Sequence, residues 1–278
     1  MKFKINRDHF SSGIQLVMSV VGTRKTMPIL QNVLIEAKDH LVWLTTTNLD
    51  LGAKCSIRAD VTEEGTITLP VKELGRIIRE LADMEVSVET ADTPKATIST
   101  RGSIFNVIGM DSKEFPPLPE LEEKKEFVFD RNELVTMLKS VSYAQSVNEE
   151  RYMLKGVFFQ LAEEKLALVA TDGRRLAVTK NKIDTKDEGE FILPSLSVNE
   201  IEKLPDVGKQ VKVSFTDRQV SFELSVEETE EKLGFQNSIY LVSKVVEGKY
   251  PNYKQVIPKD DFNAATVERE LMQECVHR

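Results

Sequence analysis

The chain has 278 residues, of which 41% are hydrophobic and 29% charged, so it is long enough for two ordinary globular domains with residues to spare. No apolar run approaches the roughly 20 residues of a membrane-spanning helix. Cys55 and Cys275 are the only cysteines, which excludes a disulfide framework or a cysteine-rich metal site. The N-terminus lacks the apolar core of a signal peptide, so we expect a cytoplasmic protein. The net charge of −8 weakens the case for nucleic-acid binding without excluding it, because an acidic protein can present a local positive field.

The first part of the chain alternates strand-like and helix-like patterns. Phe10, Ile14 and Val17 lie on one face of a predicted helix, and Leu74 and Ile78 do so in a second helix. The predicted helices are 8–22 and 71–82, and the predicted strands lie near 2–6, 32–38, 41–47, 52–60, 65–69, 85–90, 95–100 and 104–109. This order of elements predicts two helices available to one face of antiparallel sheet.

A second copy of the pattern follows at a spacing of 124 residues. Phe3 and Phe127 are each followed four residues later by an arginine that opens a helical pattern. The same spacing joins three further pairs: Val33 and Val157, Gly65 and Gly189, and the Leu-Pro pairs at 69–70 and 193–194. Helices are predicted at 131–146 and 197–204 in this copy. An internal repeat of this length predicts an α+β protein that arose by duplication.

The repeat also suggests domain boundaries. The stretch 114–126 is rich in proline and then in charge, as linkers are. A later pair, Phe115-Pro116 and Tyr250-Pro251, lies 135 residues apart, which predicts an enlarged hairpin near 225–237, at an acidic run. After residue 249 a third copy begins, with Leu271 and Cys275 in apolar helix positions. We therefore expect domains at 1–120, 126–248 and an incomplete third at 249–278.

No catalytic signature accompanies these elements. The three histidines are scattered, without the spacing of a metal site, and the sequence contains no glycine-rich phosphate loop. Asp172-Gly173 has no second carboxylate nearby in the sequence. We expect no metal, no cofactor and no enzymatic activity, and an enzyme with an unrecognised site is the weaker alternative.

Two local patterns indicate binding. Lys72, Arg76 and Arg79 recur at helical spacing opposite the apolar side of their helix, although for one helix alone an ordinary solvated face is the favoured explanation. The segment 169–177 runs from a β pattern into an Asp-Gly turn with two arginines, for which the plain alternative is a hairpin turn with exposed charge. The first repeat has no arginines at the corresponding place, so the two arginines are less readily explained as a requirement of the fold that both repeats share.

Four segments resemble the bacterial DNA polymerase III β subunit, the sliding clamp family: Met1-Lys2-Phe3, Pro28–Asn32, Ala170–Ala177 and Tyr250–Tyr253. The resemblance runs in register along the whole chain. It implies the DNA-clamp fold, a non-catalytic ring of two head-to-tail subunits with three domains each, and helices that line a hole around duplex DNA. Since only the start of a third domain is present, we expect this chain to be a truncated member.

The resemblance also implies three sets of site residues. DNA contacts are expected at Arg24, Lys72, Arg76, Arg79, Asn148, Arg151 and Tyr152. A partner-peptide pocket, called the pocket below, is expected at Thr171, Gly173, Arg174, Arg175, Leu176, Pro251 and Val256. Ring closure between subunits is expected to use Ile77, Phe105 and Val107.

The expected function is that of a processivity factor. Sliding requires weak contacts to phosphates that ignore base sequence, which sparse basic residues in an acidic protein can supply. Expected partners are double-stranded DNA, the α subunit of DNA polymerase III, the δ subunit of the clamp loader and other proteins with clamp-binding motifs, with no membrane. A non-ring adaptor that keeps only the pocket is the alternative. On its own the chain is expected to be monomeric and not to load on DNA.

Overall fold

A computed structural model describes residues 1–22, 27–91, 94–226, 233–258 and 265–277. Within these ranges the chain forms five α-helices and 17 strands. The helices are α1 (Arg7–Met18), α2 (Val71–Glu80), α3 (Arg131–Val141), α4 (Ser195–Glu202) and α5 (Arg269–His277). The strands of the first repeat are β1 (Lys2–Asn6), β2 (Asn32–Lys38), β3 (Leu41–Thr47), β4 (Leu51–Arg58), β5 (Asp60–Glu63), β6 (Gly65–Pro70), β7 (Glu85–Thr90), β8 (Lys95–Ser99) and β9 (Ile104–Ile108). Those of the second are β10 (Lys125–Asp130), β11 (Gly156–Ala162), β12 (Lys165–Thr171), β13 (Leu176–Lys182), β14 (Gly189–Pro194), β15 (Gln210–Phe215), β16 (Gln219–Ser225) and β17 (Phe235–Lys244).

The helices of the two repeats begin in the same way. The side chain of Asn6 accepts from the N–H groups of Asp8 and His9 in the first turn of α1, and that of Asp130 accepts from the N–H of Glu133 in the first turn of α3. Pro70 and Pro194 precede α2 and α4, where the absence of an N–H is tolerated. Equivalent residues thus start equivalent helices.

All four helices of the two repeats end before their predicted last residue, and the difference is largest for α1 and α3. Helix α1 stops at Met18, and the chain then turns so that Val20 and Val21 enter the core in non-helical conformation. Helix α3 stops at Val141, before a short 3₁₀ turn that buries Ala144. In both cases apolar residues continue the helical pattern while their burial comes from the turn that follows.

The strand pairing confirms the duplication. Val33 pairs with Leu69 between β2 and β6, as Val157 pairs with Leu193 between β11 and β14. At the other end of the same ladders, Ala37 pairs with Gly65 and Leu161 with Gly189. Within the described residues, strand β5 occurs only in the first repeat, and it was not predicted from the sequence. Its residues are mostly exposed and do not alternate, so they carry no strand pattern.

The strands form three sheets. Their orders are β5-β1-β7-β8-β9, β10-β15-β16-β17-β4-β3-β2-β6 and β13-β12-β11-β14. The eight-stranded sheet passes from one repeat to the other through β4 and β17, where Gly52 pairs with Val242 and Ala53 with Leu241. The repeats are therefore joined by a β ladder as well as by the chain between them.

One hydrophobic core extends through both repeats. In the first repeat, Phe3 and Phe10 meet edge to face with ring centroids 6.2 Å apart. In the second, the rings of Phe159 and Phe191 stack at 4.7 Å in the same core cluster. Helices α1 to α4 pack on the sheets over this core, which confirms the predicted α+β architecture.

The predicted start of a third copy is a helix. Helix α5 spans Arg269–His277, and all of its described residues are exposed, including Leu271 and Cys275. Among the described residues, no helix is long and apolar enough to cross a membrane.

Candidate functional site

The turn between β12 and β13 is held by its own polar side chains. The hydroxyl of Thr171 donates to the carbonyl of Arg175 at 2.7 Å and accepts from the N–H of Gly173 at 3.0 Å. One carboxylate oxygen of Asp172 accepts from the N–H groups of Arg174 and Arg175, at 2.9 and 3.0 Å. The turn is thus fixed by its own hydrogen bonds, while the side chains of Arg174 and Arg175 are exposed.

The electrostatics of this turn follow from those bonds. Backbone hydrogen bonds from Arg175 and then Arg174, together with the charge of the Arg175 guanidinium, hold the pKa of Asp172 below its usual range. The same guanidinium donates to Asp172 through Nε at 3.0 Å and lies 5.7 Å from the ring centre of Tyr143. Asp172 therefore stays ionised and orients Arg175, and its oxygens are engaged within the turn.

The turn also contacts a loop for which a different role was predicted. Arg151, predicted to touch DNA, donates from Nη1 to the carbonyl of Asp172 at 2.9 Å. Gly173 has φ of +86°, and a Cβ there would lie 2.5 Å from the same Nη1. The structure thus brings one predicted DNA residue against the pocket turn, a proximity that the sequence does not reveal.

An apolar floor lies beside the turn, on the face of the sheet directed away from the main core. Its buried members are Phe158, Val169, Ile192, Tyr250 and Tyr253, and Leu176, Met153 and Leu154 pack against them. The rings of Phe158 and Tyr250 stack with centroids 4.7 Å apart and 4° between their planes. Burial raises the pKa of Tyr250 to about 12, so its phenol is neutral at physiological pH.

Several members of this floor were not predicted from the sequence. Met153 and Leu154 lie in a short 3₁₀ segment with little periodicity, and their part in the floor depends on contacts with distant strands. Tyr250 adjoins Pro251 and belongs to a quoted motif, which was a usable signal. Of the predicted pocket residues, Leu176 is half-buried, whereas Pro251 and Val256 are exposed on the segment after β17, with Val256 68% accessible.

The other predicted DNA residues lie on exposed surfaces. Lys72, Arg76 and Arg79 are exposed on α2, opposite its buried side. Asn148 is exposed and caps the 3₁₀ segment 149–154 by accepting from the N–H of Glu150 at 2.9 Å. Tyr152 is exposed in the same segment. The predicted contact Arg24 lies outside the described residues.

The predicted subunit contacts divide by exposure. Ile77 is half-buried on α2 and Phe105 is exposed on β9, but Val107 is only 1% accessible and belongs to the core of its own repeat. Ile104 and Ile108, which the sequence analysis did not single out, are 71% and 76% accessible on β9. Since β9 ends the order of its sheet, the structure exposes an apolar edge strand.

Within the described residues, no group of three or more His, Cys, Asp or Glu side chains is arranged to hold a metal ion. The polar groups of the Asp172 turn are engaged with one another beside an apolar floor. The duplicated sheets, with helices packed over a common core, define the class of the protein as a repeated α+β fold whose second repeat carries a fixed polar turn beside an apolar floor.

Comparison with known proteins identifies the family. Residues 1–119 match the model of the N-terminal domain of the DNA polymerase III β subunit, and residues 129–252 match that of its central domain. The chain is 32% identical to the beta sliding clamp of Synechocystis sp. and 30% identical to that of Halalkalibacterium halodurans, in each case over 100% of this chain, covering 74% and 73% of the relative. The chain belongs to the bacterial β sliding clamp family, whose members are non-catalytic subunits of DNA polymerase III.

Solved structures agree. A DNA polymerase sliding clamp from Caulobacter crescentus superposes with a TM-score of 0.87 at 29% identity, covering 100% of this chain and 74% of that one. The clamp from Bacillus subtilis superposes with a TM-score of 0.84 at 27% identity, covering 94% and 68%. The chain thus spans about 70% of the length of these relatives, and the clamp fold predicted from the resemblance is confirmed.

Proposed function

We propose that the two repeats of this chain serve in replication as the first two domains of a sliding-clamp subunit, which surrounds duplex DNA as part of a head-to-tail dimeric ring. Its domains are proposed at 1–120, 126–248 and 249–278, and its site of action is the cytoplasm. Membership of the clamp family supports the ring. The exposed edge strand β9, on which Phe105 is accessible, supports its use as a subunit contact.

The proposed partners are short peptide motifs of the polymerase α subunit, the clamp-loader δ subunit and other clamp-binding proteins. The observation that carries this proposal is the union of a fixed polar turn, Thr171–Leu176, with the apolar floor around Phe158 and Tyr250. Apolar anchors of a peptide would lie against Leu176, and the arginines would orient its polar groups. Pro251 and Val256 are proposed as the exposed rim of the pocket.

The DNA contacts are proposed to be weak. On α2 the exposed cations Lys72, Arg76 and Arg79 are opposed by the exposed Glu73 and Glu80, so the helix carries only a small excess of positive charge. Asn148, Arg151 and Tyr152 form a second exposed element next to the pocket turn, and Arg24 is proposed from the resemblance alone. Weak contacts of this kind hold DNA without stopping movement along it.

Leu176→Ala tests the pocket. We expect a pentapeptide of the Gln-Leu-x-Leu-Phe type to bind the unaltered chain, and the variant to bind it about tenfold more weakly, because a half-buried leucine contributes about 1–2 kcal/mol of apolar contact. Isothermal calorimetry measures the difference.

Leu196→Ala, which shortens an exposed leucine on α4, is the matched control and should leave the peptide affinity unchanged. Equal affinity of the Leu176→Ala variant and the unaltered chain would contradict the assignment of the pocket.

A further inference from the structure

Four lysines lie together on the outer face of the second repeat, at the far end of the strands that carry the pocket turn. Lys165 on β12 is directly opposite Lys182 on β13, and Lys180 is opposite Ala167 one step nearer the pocket. With Lys254, these residues line a cleft of about 370 Å³. We call Lys165, Lys180, Lys182 and Lys254 the lysine cluster.

The cluster is electrostatically unfavourable as it stands. Like charges directly opposite each other on neighbouring strands repel and destabilise the sheet. In the described part of the chain, none of the four ammonium groups forms a salt bridge with a carboxylate, although Glu163 lines the same cleft. Destabilising arrangements of this kind, in which no opposite charge offsets the repulsion, are typical of functional sites that bind a ligand.

The cluster is continuous with the pocket along an exposed strand. Strand β13 ends the order of its sheet, and its outward residues run from Leu176 through the half-buried Val178 to Lys180 and Lys182. At about 3.3 Å per residue, Lys180 lies roughly 13 Å and Lys182 roughly 20 Å from the apolar anchor position at Leu176. An extended peptide covers that distance in four to six residues.

We propose that the lysine cluster binds an acidic segment that flanks the apolar motif of a partner peptide, so that one peptide occupies the pocket and the cluster together. This inference rests on the proposed function of the pocket. The positive charge and the spacing along β13 identify the occupant as a chain of Asp and Glu residues. Single-stranded nucleic acid fits less well, because such sites stack bases on exposed aromatic rings, whereas Tyr253, the aromatic residue lining the cleft, is buried and donates its hydroxyl to Gln160 at 3.2 Å.

Fluorescence anisotropy with two labelled peptides tests the proposal. Both carry the Gln-Leu-x-Leu-Phe motif; one bears an arm of about six Asp and Glu residues and the other a neutral Ser-Gly arm of equal length, each made with the arm at either end. At about 50 mM salt the acidic arm in the productive orientation should tighten binding about fivefold, and near 1 M salt the gain should vanish because exposed pairs are screened.

The triple variant Lys165→Gln, Lys180→Gln, Lys182→Gln should lose this gain and bind the neutral-arm peptide as the unaltered chain does. A charge-matched variant, Lys95→Gln, Lys113→Gln, Lys209→Gln, removes three exposed lysines outside the cleft and should keep the gain. The melting temperature of the first variant should not fall, since facing like charges are removed; this measurement separates lost binding from lost folding.

Three outcomes overturn the proposal in distinguishable ways. Equal affinity of both peptides for the unaltered chain would show that the lysine cluster does not bind the acidic arm, and it would leave the pocket assignment unaffected. Failure of the neutral-arm peptide to bind at all would refute the pocket assignment, and the proposed role of the lysine cluster would fail with it. The third outcome is that the acidic arm leaves the affinity unchanged while a short single-stranded oligonucleotide binds the unaltered chain and not the triple variant. The cluster would then be a nucleic-acid site.

Discussion

Glu126, on β10, is held by three donors at the surface of the second repeat. Its carboxylate pairs with the ammonium groups of Lys124 at 2.9 Å and Lys212 at 3.1 Å and accepts from the hydroxyl of Ser214 at 3.0 Å. The hydrogen bond from Lys124 contributes most, followed by those from Lys212 and Ser214, and together they lower the pKa of Glu126 from 4.5 to about 2 against a smaller effect of burial.

Glu126→Gln should therefore change the pH dependence of stability. Because the pKa is lower in the folded state, the contribution is fully present above the unfolded pKa and is lost as the pH falls through the folded pKa. At neutral pH the free energy of unfolding of the variant should be lower than that of the unaltered chain by about 1 kcal/mol or less, since the side chain is partly exposed and screened. This difference in the free energy of unfolding should shrink as the pH falls from about 4.5 to about 2.

Urea unfolding at several pH values measures this difference. Glu190→Gln, at an exposed glutamate on β14 for which no salt bridge with Lys124 or Lys212 occurs among the described residues, gives the same change of charge. A deficit of the Glu126→Gln variant that stayed constant down to pH about 2 would show that the carboxylate is not what the lysines stabilise.

Helix α2 shows how one element serves two purposes. Val71, Leu74 and Ile78 are buried on one side, whereas the exposed Arg76 and Arg79 are three residues apart on the other and so share a face. Burial of the apolar side holds the helix in place without using the cations. The charges can therefore be changed with little effect on the fold, which makes the proposed DNA contact testable.

The double variant Arg76→Glu, Arg79→Glu should weaken the binding of a duplex oligonucleotide about tenfold at about 50 mM salt, and it should flatten the dependence of log K on log salt concentration by about two units, because at least two phosphate contacts are lost. Fluorescence anisotropy over a salt series measures both quantities.

Arg58→Glu, Arg101→Glu reverses two exposed arginines elsewhere in the first repeat and is the matched control. An equal loss in both variants would mean that duplex DNA responds to net charge and not to α2.

At the scale of the whole molecule, the two repeats share their stabilising contacts. The main core cluster contains residues of both, and β4 and β17 connect them within one sheet. The hydroxyl of Ser56 adds a hydrogen bond to the carbonyl of Gln236 at 2.6 Å across the same ladder. Unfolding one repeat alone would expose the strand edge and the apolar surface of the other.

We therefore expect the repeats to unfold in one cooperative transition. Trp43, the single tryptophan, reports on the first repeat, and all five tyrosines lie in or just after the second. In guanidinium titrations, tryptophan fluorescence and tyrosine near-UV signals should give the same midpoint. Separate midpoints would show that the β4–β17 ladder does not couple the repeats.

Much of the architecture could be predicted from sequence because its signals are local. The periods of apolar residues predicted nearly every strand and helix, and the spacing of 124 residues predicted the duplication that the ladders β2–β6 and β11–β14 confirm. Errors fell at the ends of α1 and α3 and at β5, where burial or exposure departs from the periodic pattern. The turn at 171–176 stood out in the sequence because its residues are contiguous, and its role as a pocket stays a prediction.

The sequence by itself thus determined the repeat, the element types and the family, since each depends on residues close together or in fixed register. Only the tertiary structure decided the joining of β4 to β17, the contact of Arg151 with the Asp172 carbonyl, the apolar floor around Phe158 and the opposition of Lys165 to Lys182. These features bring together residues that lie far apart along the chain or on opposite strands of a hairpin. Their proximity follows from sheet order and register, which no local pattern of side chains encodes.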